Sequence, residues 1–454
     1  MTLRLPKIVH EFGRIFKDNE FESYLVGGAV RGIIRREKLG DFDIATDAEP
    51  ADIKKIFSRV IPTGIKHGTV TVLFKGQTFE VTTFRTDGRY SDGRRPDAVT
   101  FVPSLYEDLK RRDFTINAIA AHAVRGTVTD PHDGVGDLKK GIIKAIGDPN
   151  VRFAEDGLRL LRACRLASQL HFTIEIATLK NMAANIERIL TVSAERLRDE
   201  LDKILLSEKP SIGIGLMETT GMIEQVLPEL AQCRGVKQHG DHDFDVFNHS
   251  LYSCDAAPRD NLEVRLAALF HDLGKPTARE VTDEGIVTFH RHEEISEKFT
   301  KNILRRLKYS KKTEQKICNL VRHHMFFYSP EWTDAAVRRF LRRVTTDAVD
   351  NLILLRIADG FGMKNKPICI GRLLELTERL TAVIEADNAL SVKDLAIDGN
   401  ELASCAGIPR GPEMGVVLNQ LIETVLDDPD MNNKDALLKI AREFHQRYLT
   451  KNGG

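Results

Sequence analysis

Two aspartates, Asp41 and Asp43, flank a phenylalanine in the run DFDIAT. Phe42 and Ile44 mark the run as a strand, where residues two apart point to one face, so the spacing predicts that both carboxylates converge while Phe42 packs behind them. Two anions on one face repel. A divalent cation between them relieves the repulsion, and a pair of cations so held can activate an attacking hydroxyl and stabilise a departing pyrophosphate. Glu80, in FEVTTFR, is the candidate third carboxylate, from a neighbouring strand. Upstream, YLV reads as a short buried strand, Gly27-Gly28 as a tight turn and AVRGII as the start of a helix. Backbone amides at such a helix start, with Arg31 facing the same anion, suit a chain of phosphates.

These residues need a scaffold of strands followed by helices. TVTVLF and FEVTTFR alternate around Lys75-Gly76-Gln77, which predicts a hairpin. Beyond DPHDGVGDLKKG the apolar residues recur at i, i+3 and i+4, as in LRLLRACRLASQL and RLRDELDKILL, so the remainder reads as helical. At 454 residues the chain exceeds the about 250–300 that one core serves, and several modules are expected. The fold class is α+β. The expected parts are a mixed-sheet head over 1–140, a helical neck over 141–206, a helical body over 207–385 and a helical tail over 386–454.

Lysine plus arginine and aspartate plus glutamate cancel at 66 each, so net charge does not announce a polyanion partner. Basic clusters do occur: Arg85, Arg89, Arg94 and Arg95; Lys110 to Arg112; Arg159, Arg162 and Arg165; Arg338, Arg339, Arg342 and Arg343. Clusters of this kind are usually solvated faces, yet a neutral protein can still line a groove with them. No apolar run approaches the roughly 20 residues of a membrane-spanning helix. The N-terminus reads as an amphipathic helix, and six scattered cysteines form no C-x-x-C pair. A reducing cytoplasm without a membrane partner is the expected setting.

In order along the chain, GGAVRG and DFD, then RRDFTINA at 111–118, EDGLRLLRA at 155–163 and SAERLRDEL at 193–201 resemble the class II tRNA nucleotidyltransferase family, the CCA-adding enzymes and their bacterial poly(A) polymerase relatives. DGNELASCAGIPRGPEMG resembles the family's tail. One departure stands out: the family usually has Asp after the motif arginine, where this chain has Gly32. The resemblance implies a head like that of the DNA polymerase beta superfamily and an RNA-binding tail. It also implies template-independent addition of C and A to the 3′ end of tRNA from CTP and ATP, with two magnesium ions. A-only addition and poly(A) synthesis share the same motifs.

Within that frame Asp156 and Arg159 lie three apart, which on a helix puts them on one face. Aspartate only accepts hydrogen bonds and arginine only donates, so the pair suits cytosine and adenine, each with an amino donor beside a ring-nitrogen acceptor. Uracil and guanine would leave groups unpaired, at about 1–3 kcal/mol each. The resemblance assigns Arg162 and Arg165 to nucleotide contact as well. Asp113 and Asn117, at i and i+4, are expected to hold ribose hydroxyls, with Arg112 reaching phosphate. RTDGRYSDGRRPDAVTF reads as a mobile loop near the site, and Ser193 as part of a capping box on a helix that buttresses the base reader.

A second constellation follows: His249, then the adjacent His271 and Asp272, then Asp359, with His290, His292, His323 and His324 between. This resembles the metal site of the HD phosphohydrolase superfamily, in which the His-Asp pair is the hallmark. His249, His271, Asp272 and Asp359 would hold a divalent transition metal, His292 and His323 would allow a second, and Lys275 would attract phosphate. An HD-type hydrolase with a merely nucleotide-binding head is thus an alternative for the whole chain, and a non-catalytic RNA-binding module is another.

Overall fold

A computed structural model of the chain describes residues 1–37, 40–88, 99–238, 244–363, 370–386 and 391–452. Residues 89–98 of the expected mobile loop lie outside the described residues, with Arg89, Arg94 and Arg95, as do 239–243 and Cys369. The chain forms two compact units, Met1–Gln232 with Ile303–Tyr309, and Cys233–Asn302 with Ser310–Gly454.

The first unit begins with α1 (Lys7–Asp18), β1 (Ser23–Val26), α2 (Gly28–Arg35), β2 (Phe42–Thr46) and α3 (Pro50–Ile56). There follow β3 (Val60–Gly64), β4 (Thr69–Phe74) and β5 (Gln77–Thr83), the short pair β6 (Arg85–Asp87) and β7 (Val99–Phe101), α4 (Leu105–Lys110), β8 (Ala120–His122), β9 (Val128–Thr129) and α5 (Gly134–Lys140). Seven of these strands form one sheet, in the order β3-β4-β5-β2-β1-β8-β9. The β2–β5 pair is parallel and the other pairs are antiparallel, so the sheet is mixed.

Between β4 and β5 the chain reverses through Lys75 and Gly76, both at positive φ (47° and 77°), the two-residue turn that matches strand twist. Gln77 is already the first residue of β5, paired with Phe74, rather than part of the turn. Behind the sheet, Phe79 stacks on Phe12 with ring centroids 3.9 Å apart and on Phe42 at 5.0 Å. Each such aromatic pair contributes about 0.5–1.5 kcal/mol beyond its buried area, and together they pin the register of β2 against β5.

The first unit continues with α6 (Pro149–Glu155), α7 (Leu158–Leu170), α8 (Ile176–Ala184), α9 (Ala194–Leu205), α10 (Pro210–Thr219) and the single turns α11 (Ile223–Val226) and α12 (Pro228–Ala231). In the second unit come α13 (Val246–Ala256), α14 (Leu262–Phe270), α15 (Lys275–Ala278), α16 (His292–Arg306, its last turn in the first unit), α17 (Lys311–His323), α18 (Asp334–Val344) and α19 (Val349–Phe361). α20 (Ile370–Glu385), α21 (Gly399–Ala406), α22 (Pro412–Asp427) and α23 (Lys434–Asn452) complete it. α21 to α23 share a core of their own around Leu402, Leu421, Ile422 and Leu437.

Three of the four arginines of α18 are spent on a neighbouring helix, while Arg343 is exposed against the Phe340 ring. Arg338 donates to the carbonyls of Leu426 (2.6 Å) and Asp427 (3.1 Å) at the C-terminus of α22. Arg339 pairs with Glu423 and Asp427, and Arg342 with Glu423, so the row joins two helices. No helix among the described residues is long and apolar enough to cross a membrane.

Candidate active site

Asp43 lies directly beside Glu80 across the parallel β2–β5 pair, one position along from the Phe42–Phe79 pair. Strand alternation therefore sends both carboxylates to the face opposite the stacked rings. Asp41 comes one residue before β2, is exposed, and does not line the cavity described below. The expectation that it and Asp43 share a strand face is corrected to that extent, because the strand starts at Phe42. Burial pushes the Asp43 carboxyl up to about 6, Glu80 and Asp41 push it the same way, and Arg112 opposes. A desolvated carboxylate beside two more, with no hydrogen bond or ion pair to Asp43 among the described residues, suits a divalent cation.

Gly27 caps α2 at φ 66° and ψ −133°, a conformation that favours glycine. A Cβ there would stand 3.5 Å from both Arg112 Nη1 and Asp43 Oδ2, so the turn brings backbone up to the carboxylate and the guanidinium together. Arg31 donates to Asn117 Oδ1. Burial, with Arg165 adding, brings the Arg31 guanidinium down to about 10. The buried Nε atoms of Arg31 and Arg112 have no hydrogen-bond partner among the described residues, which is what an absent oxyanion would leave.

One cavity of about 710 Å³ gathers Gly27, Gly28, Arg31, Asp43, Glu80, Arg112, Asp113, Asn117, Asp156, Arg159, Arg162 and Arg165. Arg85 and Arg111, each part of a basic cluster in the sequence, also line it, and so do Thr63, Gly64, His67 and Thr69, which carried no sequence signal of their own. Its lining holds seven arginines against four carboxylates among the described residues, an excess suited to a polyphosphate.

Asp113 is more committed than a ribose ligand would be. Oδ1 accepts from Phe114 N (2.8 Å) and Asn117 Nδ2 (3.0 Å), while Oδ2 takes Arg162 Nε (2.8 Å) and Nη2 (2.6 Å). A carboxylate offers about four lone-pair sites, so this one is saturated. Burial would raise its carboxyl, but Arg162 and Asn117 hold it well below the usual range. The run 115–117 is a 3₁₀ turn rather than an α-helix, and Asp113 works there as a strut between Arg162 and Asn117. Asn117 keeps one free acceptor site and one free hydrogen.

Asp156 and Arg159 do not share a helix. Asp156 is extended (φ −145°, ψ 109°) in the break between α6 and α7, and Arg159 stands in the first turn of α7. They still line the same cavity. Asp156 pairs with Arg196, Nη1 to Oδ1 at 3.2 Å and Nη2 to Oδ2 at 2.6 Å. Arg159 donates to Glu155 and to the carbonyls of Arg152 (2.8 Å) and Arg111 (3.2 Å). Ser193 makes no side-chain cap, so the expected capping box is absent; α9 acts instead through Arg196 and through Glu200, which pairs with Arg165 at 2.6 Å.

The second unit brings His249, His271, Asp272 and Asp359 together. His249 Nε2 lies 3.2 Å from His271 Nε2, 3.6 Å from Asp272 and 3.1 Å from Asp359. On the other oxygen of Asp272 stand His292 Nε2 (3.2 Å) and His324 Nε2 (3.8 Å), themselves 3.3 Å apart. The structure thus brings in His324, not His323; Ile317, Leu320 and Val321 mark the buried face of α17 that position 324 continues. Nδ1 of His271, His292 and His324 lies 2.8–2.9 Å from the carbonyls of Ala268, Phe289 and Val321. A carbonyl only accepts, so each Nδ1 carries a proton and each Nε2 is the atom turned toward the Asp272 cluster, where a neutral ring would offer its lone pair to a cation. Lys275 contacts Asp272 at 2.6 Å. His290 lines the adjacent cavity of about 420 Å³ with Arg356 and Phe289.

Residues 23–144 match the model of the poly A polymerase head domain, 171–233 the probable RNA and SrmB-binding site of polymerase A, and 280–441 the putative tRNA nucleotidyltransferase domain 2. The CCA-adding enzyme of Lactobacillus johnsonii is 36% identical over 429 residues, 94% of either chain, and that of Lactobacillus gasseri 36% over 421 residues, 92% of either. Among solved structures, the CCA-adding enzyme of Bacillus stearothermophilus in complex with CTP superposes with TM-score 0.74 at 27% identity, covering 98% of this chain and 100% of that one. The Thermotoga maritima CCA-adding enzyme complexed with tRNA shares the fold at TM-score 0.56 and 19% identity, over 96% of this chain and 95% of that one. With over nine-tenths of its length aligned to these relatives, the chain belongs to the class II tRNA nucleotidyltransferase family, among the CCA-adding enzymes.

Proposed function

We infer that this chain adds C and A to the 3′ end of tRNA, using CTP and ATP without a nucleic-acid template. The observation that carries the reading is the single cavity that holds the Asp43–Glu80 pair, the arginine-rich phosphate wall and the Asp156–Arg159 pair at once. The family uses divalent metal. Here magnesium is the ion proposed, held by Asp41, Asp43 and Glu80, and it would supply Lewis-acid activation of the hydroxyl and neutralise charge on the leaving group.

The chain's own residues do the rest. Gly27 and Gly28 let the phosphates approach the backbone, while Arg31 and Arg112 turn their unpartnered Nε groups to the oxyanions. Asn117 holds Arg31 and keeps valence for a ribose hydroxyl, Asp113 holds Arg162, and Asp156 with Arg159 reads the base beside Arg162 and Arg165. The RNA 3′-oxygen bonds to the α-phosphorus, the bond to the β-phosphate oxygen breaks, and pyrophosphate leaves. The parts proposed for this work are a head over 1–140, neck over 141–206, body over 207–385 and RNA-binding tail over 386–454, in a cytoplasmic setting.

The experiment supplies tRNAs lacking three, two or one terminal nucleotides with CTP or ATP separately and sizes the products. C on the first two and A on the last supports CCA addition. A on the last substrate alone, or long A tails, supports A-only addition or poly(A) synthesis instead.

The four inward-facing Nε2 atoms around Asp272 and Asp359 favour a second, metal-dependent phosphoester hydrolysis in the helical unit, with divalent transition metal at His249, His271, Asp272 and Asp359 and at His292 and His324. Such hydrolysis survives loss of Asp41 and Asp43, and a chain that releases no phosphate under any divalent metal does not perform it.

A further inference from the structure

Asp156 and Arg159 carry opposite charges three residues apart, yet no ion pair joins them among the described residues. Each is diverted. Asp156 is gripped at both oxygens by Arg196, 40 residues away on α9. Arg159 is gripped by Glu155 and two backbone carbonyls.

The diversion leaves each residue some hydrogen-bonding valence. Oδ1 of Asp156 accepts from Arg196 and from Leu158 N (3.0 Å), which fills it, whereas Oδ2 accepts once and keeps one lone pair. Arg159 spends both Nη1 hydrogens and one on Nη2, and keeps its Nε hydrogen and one more. The remainder is an acceptor and a donor lining one cavity, the complement of the amino donor and ring-nitrogen acceptor that cytosine and adenine share. If the aspartate and the arginine bonded to each other, that pattern would cancel. An aspartate's terminal torsion is broad, so nothing in its own covalent geometry prevents the collapse.

We propose that Arg196, with Glu155, is a specificity-determining positioning residue: the two hold Asp156 and Arg159 apart so that each keeps its valence for the incoming base. This rests on the base-reading role proposed above for Asp156 and Arg159. α9 holds the same row at a second point with inverted polarity, since Glu200 grips Arg165 at 2.6 Å four residues beyond Arg196. Cation to anion at one end and anion to cation at the other fix the lengthwise placement of α9 on the row, because a slip brings like charges together.

The test uses the full chain and tRNA lacking three terminal nucleotides, with single-turnover rates for CTP and UTP measured separately. Arg196→Ala is expected to lower the CTP-to-UTP preference by at least about tenfold. Arg196→Lys, which keeps the charge, should restore part of it, and Glu155→Gln should lower it as well. A merely structural role slows both nucleotides equally and shifts the melting temperature, so an Arg196→Ala protein with the wild-type preference overturns the proposal. Should that variant fail to fold, unchanged preference in Arg196→Lys and Glu155→Gln together overturns it. Wild-type protein that takes UTP as readily as CTP sinks the base-reading role itself. Selective wild type with equally selective variants sinks only this inference.

Discussion

Asp43 and Glu80 are register partners on neighbouring parallel strands, next to the stacked Phe42–Phe79 pair, so one register serves both the site and the core. Shifting β2 by one residue exchanges carboxylates for rings. Asp43 is half-buried and has no protein partner among the described residues, so its charge serves a ligand rather than the fold. Asp43→Ala is expected to cut nucleotide addition by roughly 10³-fold or more, on the scale of losing a ligand to the catalytic ions, without lowering the melting temperature. Rate assays paired with thermal melts check both halves; a large drop in melting temperature would assign Asp43 to the fold.

Asp113 predicts the opposite profile. Removing it leaves Arg162 and Asn117 without their shared acceptor, so Asp113→Ala should cost about 3–5 kcal/mol, the range for breaking one partner of a buried pair. Denaturant unfolding with an unchanged slope checks this. Asn117→Ala should leave most of that stability in place but free Arg31, weakening nucleotide binding with CTP and ATP affected alike.

Metal analysis distinguishes adjacent histidines. The purified chain loaded with a transition metal should hold ~2 ions in the helical unit, one on each side of Asp272, on the usual rule of several N and O ligands per ion. His324→Ala should lose one, Asp272→Ala both and His323→Ala neither. Elemental analysis after dialysis reads the result directly, and equal retention by the two histidine variants would refute the geometry.

Asp202, which accepts from Tyr309, is pushed up to about 6 mainly by burial. Its folded value lies above the unfolded one, so the folded state keeps the proton longer and stability falls as pH rises from about 4 to 6. Asp202→Asn removes that cost. The variant should be more stable than wild type by about 1–2 kcal/mol at pH 7, discounted for partial exposure, and the gain should vanish as pH falls well below 4, where Asp202 is neutral in the folded and unfolded states alike. Chemical denaturation at the two pH values checks this, and a gain that persists unchanged at pH 3.5 would show another cause.

Period and local chemistry made much of this protein legible. Two-residue alternation placed Phe42 behind the Asp43 carboxylate, Gly27-Gly28 marked the entry to α2, and the switch to helical period located the end of the sheet. The ordered motifs pointed to the family. Other features were hidden in partnership rather than in spacing. Nothing local to EDGLRLLRA reveals that Asp156 ends one helix instead of sharing the next, or that Arg196 holds it from 40 residues away.

The sequence by itself determined which residue types meet the chemistry, because strand and helix periods depend only on nearest neighbours along the chain. Tertiary structure alone decided what each of them was left free to do: Asp113 spent on Arg162 across 49 residues, Arg338 spent on a distant helix end, His324 chosen over His323. The physical reason is that a polar group's remaining valence is fixed by whatever packing sets beside it, and packing joins segments whose separation no local pattern records.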